Sequence, residues 1–282
     1  MRFIRKALFH LAYEQGQILT QHGQLFDAVQ YSRFKYGMQK EATSYAHALF
    51  EHVFLPIRSW IDTNPQVYLT SSAYKSVPTA SDAIANELLS FLQNHFDTSI
   101  HKFKIYRNNL FTHDYGTLSE QERHFYMQKV DLCLPQELNL SRQKVIIIDD
   151  IRITGAHENR LRELFLKQTQ AQEVMFVYLA MFRHKVSPSI EHQLNHAWLD
   201  ELEKLYLVFN NPHFLPNARL CKFLLSYSDR YKLRLFLERI PIESLHKLQE
   251  AIKSDGYAQM SAYQANCSLI QSILETTCLE SS

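Results

Sequence analysis

Apolar positions along this chain change their period twice. Through LFDAVQYSRFKYG (25–37) and SYAHALFEHVFLPIRSWI (44–61) they recur at the spacing of one helix face, and Asn64-Pro65 stops the run. The opening MRFIRKALFHLAYEQG mixes basic residues with an apolar patch and predicts an amphipathic helix. His10 interrupts that patch and no small-residue cleavage site follows, which argues against a targeting segment. From Gln66 the pattern alternates. QVYLTSS (66–72) is strand-like, ASDAIANELLSFLQNHF (80–96) is an amphipathic helix, and HKFKIYRN (101–108) is strand-like again. KVIIIDD (144–150) predicts a buried strand, GAHENRLRELFLKQ (155–168) a helix, and EVMFVYLAMF (173–182) and EKLYLVFN (203–210) two further strands. Helical spacing returns in ESLHKLQEAIKSD (243–255) and SAYQANCSLIQSILE (261–275). Strands alternating with helices call for a parallel sheet with right-handed crossovers. The chain thus divides into a helical N-terminal extension (1–65), an α/β core (66–210) and a helical C-terminal region (211–282).

Composition narrows the partners. A hydrophobic fraction of 46% and a charged fraction of 21% are ordinary for a globular chain, and a formal net charge of +1 gives no argument for nucleic acid. The longest apolar runs fall short of the ~18 residues that span a bilayer. Four cysteines at 133, 221, 267 and 278 stand far apart with no CxxC, so free thiols in a reducing, cytoplasmic setting are expected. There is no internal repeat or low-complexity stretch. With only six glycines, each position that uses one carries information.

The chemistry concentrates in KVIIIDDIRITGAHE (144–158), where a β-branched run ends in Asp149-Asp150 and a small-residue turn follows at Thr154-Gly155. In open parallel sheets the ligand sits beyond the carboxyl ends of the strands, where this turn must lie. The first free amides of the following helix, aided by its dipole, suit a phosphate, and Gly155 lets the backbone approach closely. Two carboxylates beside that cradle would repel phosphate; their natural partners are sugar hydroxyls or a divalent metal. The residues therefore ask for a phosphorylated sugar.

The same stretch resembles the phosphoribosyl diphosphate (PRPP) signature of type I phosphoribosyltransferases, in which four hydrophobic residues precede two acidic ones, a hydrophobic residue and a Thr/Ser-Thr-Gly-x-Thr turn. Val145 to Ile148, Asp149, Asp150, Ile151, Thr154 and Gly155 match; Ile153 and His157 depart where the family usually carries hydroxyls. VYLTSSAYKSVPTASDAIANELL (67–89) looks like the family's first strand, pyrophosphate loop and following helix. YRNNLFTHDYGTLSEQERHFY (106–126) falls where the family carries its mobile catalytic loop, and its Leu-Ser-x-x-Glu-Arg looks most like the ComF-type subgroup. YSRFKYG and the helical ends resemble phosphoribosyltransferase-like proteins of bacterial tellurite-resistance gene clusters.

The resemblance implies an α/β fold: a parallel-sheet type I phosphoribosyltransferase-like core with N- and C-terminal helical additions. It implies transfer of a phosphoribosyl group from PRPP to a small-molecule acceptor with release of diphosphate, in nucleotide metabolism. The amides of Arg152, Ile153, Thr154, Gly155, Ala156 and His157 would hold the 5′-phosphate. Ser72, Ala73, Tyr74 and Lys75 would hold the diphosphate, with Arg107 and Arg123 closing over it. Asp149 and Asp150 would hold the ribose hydroxyls and, directly or indirectly, Mg²⁺. No membrane partner is expected, and a homodimer fits. The departures at Ile153 and His157 favour an alternative, a PRPP- or nucleotide-binding regulator without turnover; a nucleoside-forming or nucleoside-cleaving enzyme is a third reading.

Other readings account for less. A receiver domain would place a second aspartate near LNHAWLDELEK, which is helical, and a Walker B strand lacks any GxxxxGK[ST]. Solvated carboxylates at a helix N-terminus need no ligand, but would not explain the two accompanying loops. His192 and His196, four apart, predict a solvated helix face rather than a metal site. YSRFKYG reads as helix packing with snorkelling cations.

Overall fold

A computed structural model describes residues 1–109 and 119–280, the side chains of 120, 123, 124, 127 and 277–280 excepted. The chain opens with β1 (Arg2–Glu14) and the short β2 (Gln17–Leu19), not with the helix expected over 1–16. The reason is that Ile4 and Leu8 reach one core and Phe3 and Ala7 another. Residues four apart share a face in a helix and in a strand alike, so that spacing could not decide. Pairing with a neighbour strand does. Helices α1 (Ala28–Lys35), α2 (Gln39–Leu49) and α3 (Arg58–Asp62) complete the first segment.

The core follows with β3 (Gln66–Ser71), α4 (Ala80–His95), β4 (Ser99–Lys102), β5 (Tyr106–Arg107), α5 (Glu120–Gln128), β6 (Leu132–Cys133), β7 (Lys144–Arg152), α6 (Ala156–Gln168), β8 (Glu173–Phe182) and α7 (Ser189–His196). Residues 203–210 are not the expected strand: a 3-10 turn over Leu202–Leu205 runs into α8 (Tyr206–Phe209). Leu202, Leu205, Val208 and Phe209 are buried at helical spacing in the C-terminal core, which selects the helix. Helices α9 (Ala218–Leu225), α10 (Arg230–Leu237), α11 (Ile242–Asp255) and α12 (Gln264–Glu280) close the chain.

The main sheet runs β2-β1-β8-β7-β3-β4, with β1, β8, β7, β3 and β4 parallel and β2 antiparallel. So the expected parallel sheet is present, and β1 extends it. Strand β7 is central. Ile146 and Ile148 face the core formed with α2 and α4, while Val145 and Ile147 face the core formed with α6. Burial on both faces is why this strand reads as an unbroken apolar run. A third core gathers residues 198–274 and takes in Tyr36 and Val77. Cys133, Cys221 and Cys267 are free thiols. Among the described residues no helix is long and apolar enough to cross a membrane.

The connections leave β3 and β7 in opposite directions. From β3 the chain crosses through α4 to the outer neighbour β4; from β7 it crosses through α6 to β8 on the other side. The point where crossovers diverge opens a crevice at the carboxyl ends of the strands. Between β3 and β7, that crevice receives the loop after Ser71 and the turn after Arg152.

Candidate active site

Strand β7 delivers Asp149 and Asp150 to the crevice with each side chain 13% exposed. Each carboxylate has its own partner. His157 Nδ1, from the first turn of α6, lies 3.0 Å from Asp149 Oδ2. The Lys35 ammonium pairs with Asp150 Oδ2, and the Tyr31 hydroxyl donates to the same oxygen at 3.0 Å. Burial raises the Asp149 pKa, and His157 only partly offsets it. Burial would raise Asp150 too, but the charge and hydrogen bond of Lys35 outweigh it and hold that carboxyl at about 2. The pair is thus split electrostatically: Asp149 takes a proton first on acidification and Asp150 stays ionised.

This gives YSRFKYG a place. Tyr31 and Phe34 are buried against the core, and one turn of helix carries Lys35 to the acidic pair. The motif does pack, but its cation is an ion-pair partner rather than a snorkelling surface group.

The turn after β7 is built as the sequence suggested. Gly155 adopts φ +76°, the left-handed region, and caps α6. The Thr154 hydroxyl accepts from the Ala156 amide at 3.4 Å. Ile153 is partly buried and packs against the core, a role that an apolar side chain suits better than a hydroxyl. His157 bonds to Asp149. One contributor escapes a reading based on amides alone: the Arg152 side chain folds over the turn, and a Cβ on Gly155 would meet Nη2 at 2.7 Å. Its Nε is fixed by Glu158 at 2.8 Å, so a guanidinium stands beside the free amides of the helix start.

The loop after β3 is differently engaged. The amides of Ser72 and Tyr74 bond to the carbonyls of Ile148 and Ile105, and Ala73 is buried. Lys75 Nζ donates to the Asp255 carbonyl at 2.8 Å, while the Ser76 and Val77 amides donate to Asp255 Oδ1 at 2.7 and 3.0 Å. An aspartate at the end of α11 therefore holds the amides of this loop, and Lys75 faces the C-terminal helices rather than the acidic pair. Nothing in the local pattern around 255 signals that role. Arg107 lies on β5, where its Nε donates to the Asn109 carbonyl at 3.0 Å. The loop expected as a lid falls outside the described residues over 110–118, and the Arg123 side chain lies outside them as well.

A cavity of about 480 Å³ is lined by Lys35, the partner of Asp150, and by Arg107, His192, His196, Arg219 and Lys222, among others. The two histidines, expected on a solvated face, stand with ring centroids 4.3 Å apart at this cavity. Among the described residues no three His, Cys, Asp or Glu side chains converge as a cage for a metal. Two adjacent carboxylates still suit Mg²⁺, which commonly takes one or two carboxylates and completes its shell from substrate phosphates and water.

A family model described as PRTase ComF-like matches residues 14–270. No curated protein matches the chain. Among solved structures, a hypoxanthine phosphoribosyltransferase from Staphylococcus aureus is similar at 16% identity over 52% of this chain and 68% of that one, with a TM-score of 0.34. A hypoxanthine-guanine phosphoribosyltransferase from Bacillus anthracis matches at 15% identity over 57% and 74%, TM-score 0.32. That of L. donovani matches at 14% identity over 51% and 70%, TM-score 0.35.

Proposed function

This chain belongs to the ComF-like phosphoribosyltransferase family, and from that premise we propose that it transfers the phosphoribosyl group of PRPP to a small-molecule acceptor, releasing diphosphate. The observation that carries the reading is the acidic pair and glycine turn at the divergence of β3 and β7. The turn amides and the Arg152 guanidinium bind the 5′-phosphate, remote from the reacting carbon, and so orient it. Asp149 and Asp150 accept hydrogen bonds from the ribose hydroxyls. Their negative charge also favours the oxocarbenium-like ring that forms as diphosphate departs. Ser72 to Lys75, Arg107 and Arg123 serve the diphosphate, Lys75 on leaving its Asp255 contact. When bound, Mg²⁺ neutralises charge on the leaving diphosphate, and Asp149 and Asp150 are the residues that would hold it, directly or through the diphosphate.

The test is incubation with PRPP, Mg²⁺ and a panel of bases and amines while diphosphate release is followed. Release with one acceptor is the expected result. Tight PRPP binding with no release from any acceptor points instead to a regulator, and absence of PRPP binding overturns both.

Two substitutions separate the phosphate pockets. Gly155→Val places a β-branched side chain at positive φ, strained by about 1–3 kcal/mol, and displaces Arg152 from the turn. Calorimetry should show loss of both ribose 5-phosphate and PRPP binding. Lys75→Ala should weaken PRPP much more than ribose 5-phosphate. Equal losses of both ligands in both variants would undo the division into two pockets.

A further inference from the structure

We propose that Asp255 and Lys104 are positioning residues of the diphosphate loop: they hold opposite ends of the Lys75–Ser76 peptide and so aim the Ala73 and Lys75 amides at the leaving group. The diphosphate role rests on the PRPP reading above. It makes the helical C-terminal region part of the transfer site.

One peptide unit is held from two sides. The Lys75 carbonyl accepts from the Lys104 ammonium, and the Ser76 amide donates to Asp255 Oδ1 at 2.7 Å. Carbonyl and amide belong to one rigid plane, because the bond between them has partial double-bond character. That plane cannot turn without breaking both contacts, and each is charge-assisted. The Val77 amide adds a second bond to Asp255 Oδ1 at 3.0 Å.

Both arms are themselves fixed. Asp255 is 1% exposed at the last turn of α11, and Gly256 ends that helix at φ +74°. The Lys104 ammonium lies over the rings of Tyr74 and Tyr106, 4.4 and 4.8 Å from their centroids. Burial lowers the Lys104 pKa, while the charges of Asp255 and Asp82 push it back up. Asp255 and Lys104 thus also attract each other across the peptide they hold.

This hold leaves a defined pair of donors. In the run 72–77, the Ser72 and Tyr74 amides bond to the carbonyls of Ile148 and Ile105, and those of Ser76 and Val77 bond to Asp255. The Tyr74 carbonyl in turn accepts from the Arg107 amide at 3.1 Å. The Ala73 and Lys75 amides have no partner among the described residues. Ala73 is buried, where an unpaired N–H is uncommon and costly. Donors fixed before the reaction favour the negative charge that develops on a departing diphosphate. Lys75 adds its ammonium without loosening the loop. Its Nζ bonds to the Asp255 carbonyl rather than to the carboxylate, so it can swing to the diphosphate while Asp255 Oδ1 keeps Ser76 and Val77.

The test measures binding of inorganic diphosphate with Mg²⁺, and separately of ribose 5-phosphate, by calorimetry on the full chain. Asp255→Ala and Lys104→Met should each weaken diphosphate binding about tenfold or more, as loss of a charge-assisted contact implies, while ribose 5-phosphate affinity stays within about twofold. Asp255→Asn keeps an acceptor oxygen for the two amides and should fall between Asp255→Ala and the unaltered chain. Lys104 is only partly buried and lies between β4 and β5, so Lys104→Met decides the matter even where Asp255→Ala does not fold. Amide hydrogen exchange supplies a readout that a merely structural role would not move. Diphosphate should slow exchange at Ala73 and Lys75, while Ser76 and Val77 are slow with or without it. Unchanged diphosphate affinity in Lys104→Met, or an equal loss of both ligands, overturns the proposal and leaves the PRPP reading standing. So does tighter diphosphate binding by Asp255→Ala, which would make the carboxylate a competitor for the loop. An unaltered chain that binds neither PRPP nor diphosphate sinks the transferase reading, and the diphosphate role with it.

Discussion

Glu158→Gln should destabilise the protein by about 3–5 kcal/mol, the range for breaking a buried charge network. The Glu158 side chain is fully buried. Its Oε1 accepts from Arg5 and Arg162 at 2.7 Å each, and its Oε2 from Arg5 at 2.9 Å, Arg152 at 2.8 Å and the Tyr178 hydroxyl at 3.0 Å. Glutamine removes the only negative charge in this group and turns an amide NH₂ towards donors that it cannot satisfy. Three guanidiniums would then face one another around a buried site. The pH dependence has a fixed sign. Burial pushes the Glu158 carboxyl up, yet the hydrogen bonds from Arg5 and Arg152 and the Arg5 charge outweigh it and hold the carboxyl below its ordinary value. A depressed folded-state pKa contributes stability that is fully present above the unfolded value, about 4.3, and is lost as pH falls through the lower folded one. Urea unfolding at neutral pH and in acid checks both statements. The unaltered chain should lose stability in acid that the glutamine variant has already lost at neutral pH. A change below about 1 kcal/mol at neutral pH would mean the network is not what holds β1, β7 and α6 together. Ribose 5-phosphate binding should fall as well, because Arg152 loses the group that aims it over Gly155.

Asp149→Asn combined with Asp150→Asn should abolish detectable PRPP binding in the presence of Mg²⁺. Each charge-assisted hydrogen bond lost is worth about 1.5–3 kcal/mol, so each substitution lowers affinity by at least about tenfold. The structure adds a complication that composition of the motif does not reveal. Asp150 is also the counter-charge of Lys35, whose side chain is only 13% exposed, so its removal strands a nearly buried ammonium. Adding Lys35→Met to the double variant should recover much of the lost stability without restoring PRPP binding. That dissociation separates a binding defect from a folding defect. Unchanged PRPP affinity in the double variant, by calorimetry, would end the assignment of the pair to ribose. The Asp150 carboxyl, held at about 2, makes its full contribution to stability above the ordinary carboxylate value and loses it progressively as pH falls from there through about 2. Asp149, raised by burial, protonates earlier, so PRPP affinity should begin to decline in mild acid before the Lys35 pair is broken.

Much of the core was legible because local pattern and burial agree there. Strand β7 is buried on both faces and reads as an apolar run; α4 and α6 show one apolar stripe each. The turn at Thr154-Gly155 was legible because positive φ demands glycine and few glycines are available. What escaped depends on partners distant in sequence. The four-residue spacing of Ile4 and Leu8 fits two structures, and only the neighbour β8 selects the strand. Lys35 meets Asp150 across 115 positions, a pairing that no helical periodicity encodes. His192 and His196 share a face as expected, but whether that face meets water or a cavity is decided by α9 and Arg107. The sequence shows only the amide of Arg152, since the direction of its side chain is set by Glu158 six residues on.

The grip of Asp255 on the loop after β3 has a consequence for how the protein is made. Ser76 and the carboxylate that shapes its amide are separated by 179 positions. Strands and helices of the core are complete well before that residue leaves the ribosome, so the loop must wait, its amides bonded to water, until α11 has formed and docked. The entropy of closing so long a loop grows only logarithmically, each doubling adding about 0.6 kcal/mol, so equilibrium stability suffers little. Order of events is what the separation sets, because non-local contacts form late. The loop that borders the crevice is therefore finished last, and a nascent chain holds a sheet before it holds a site.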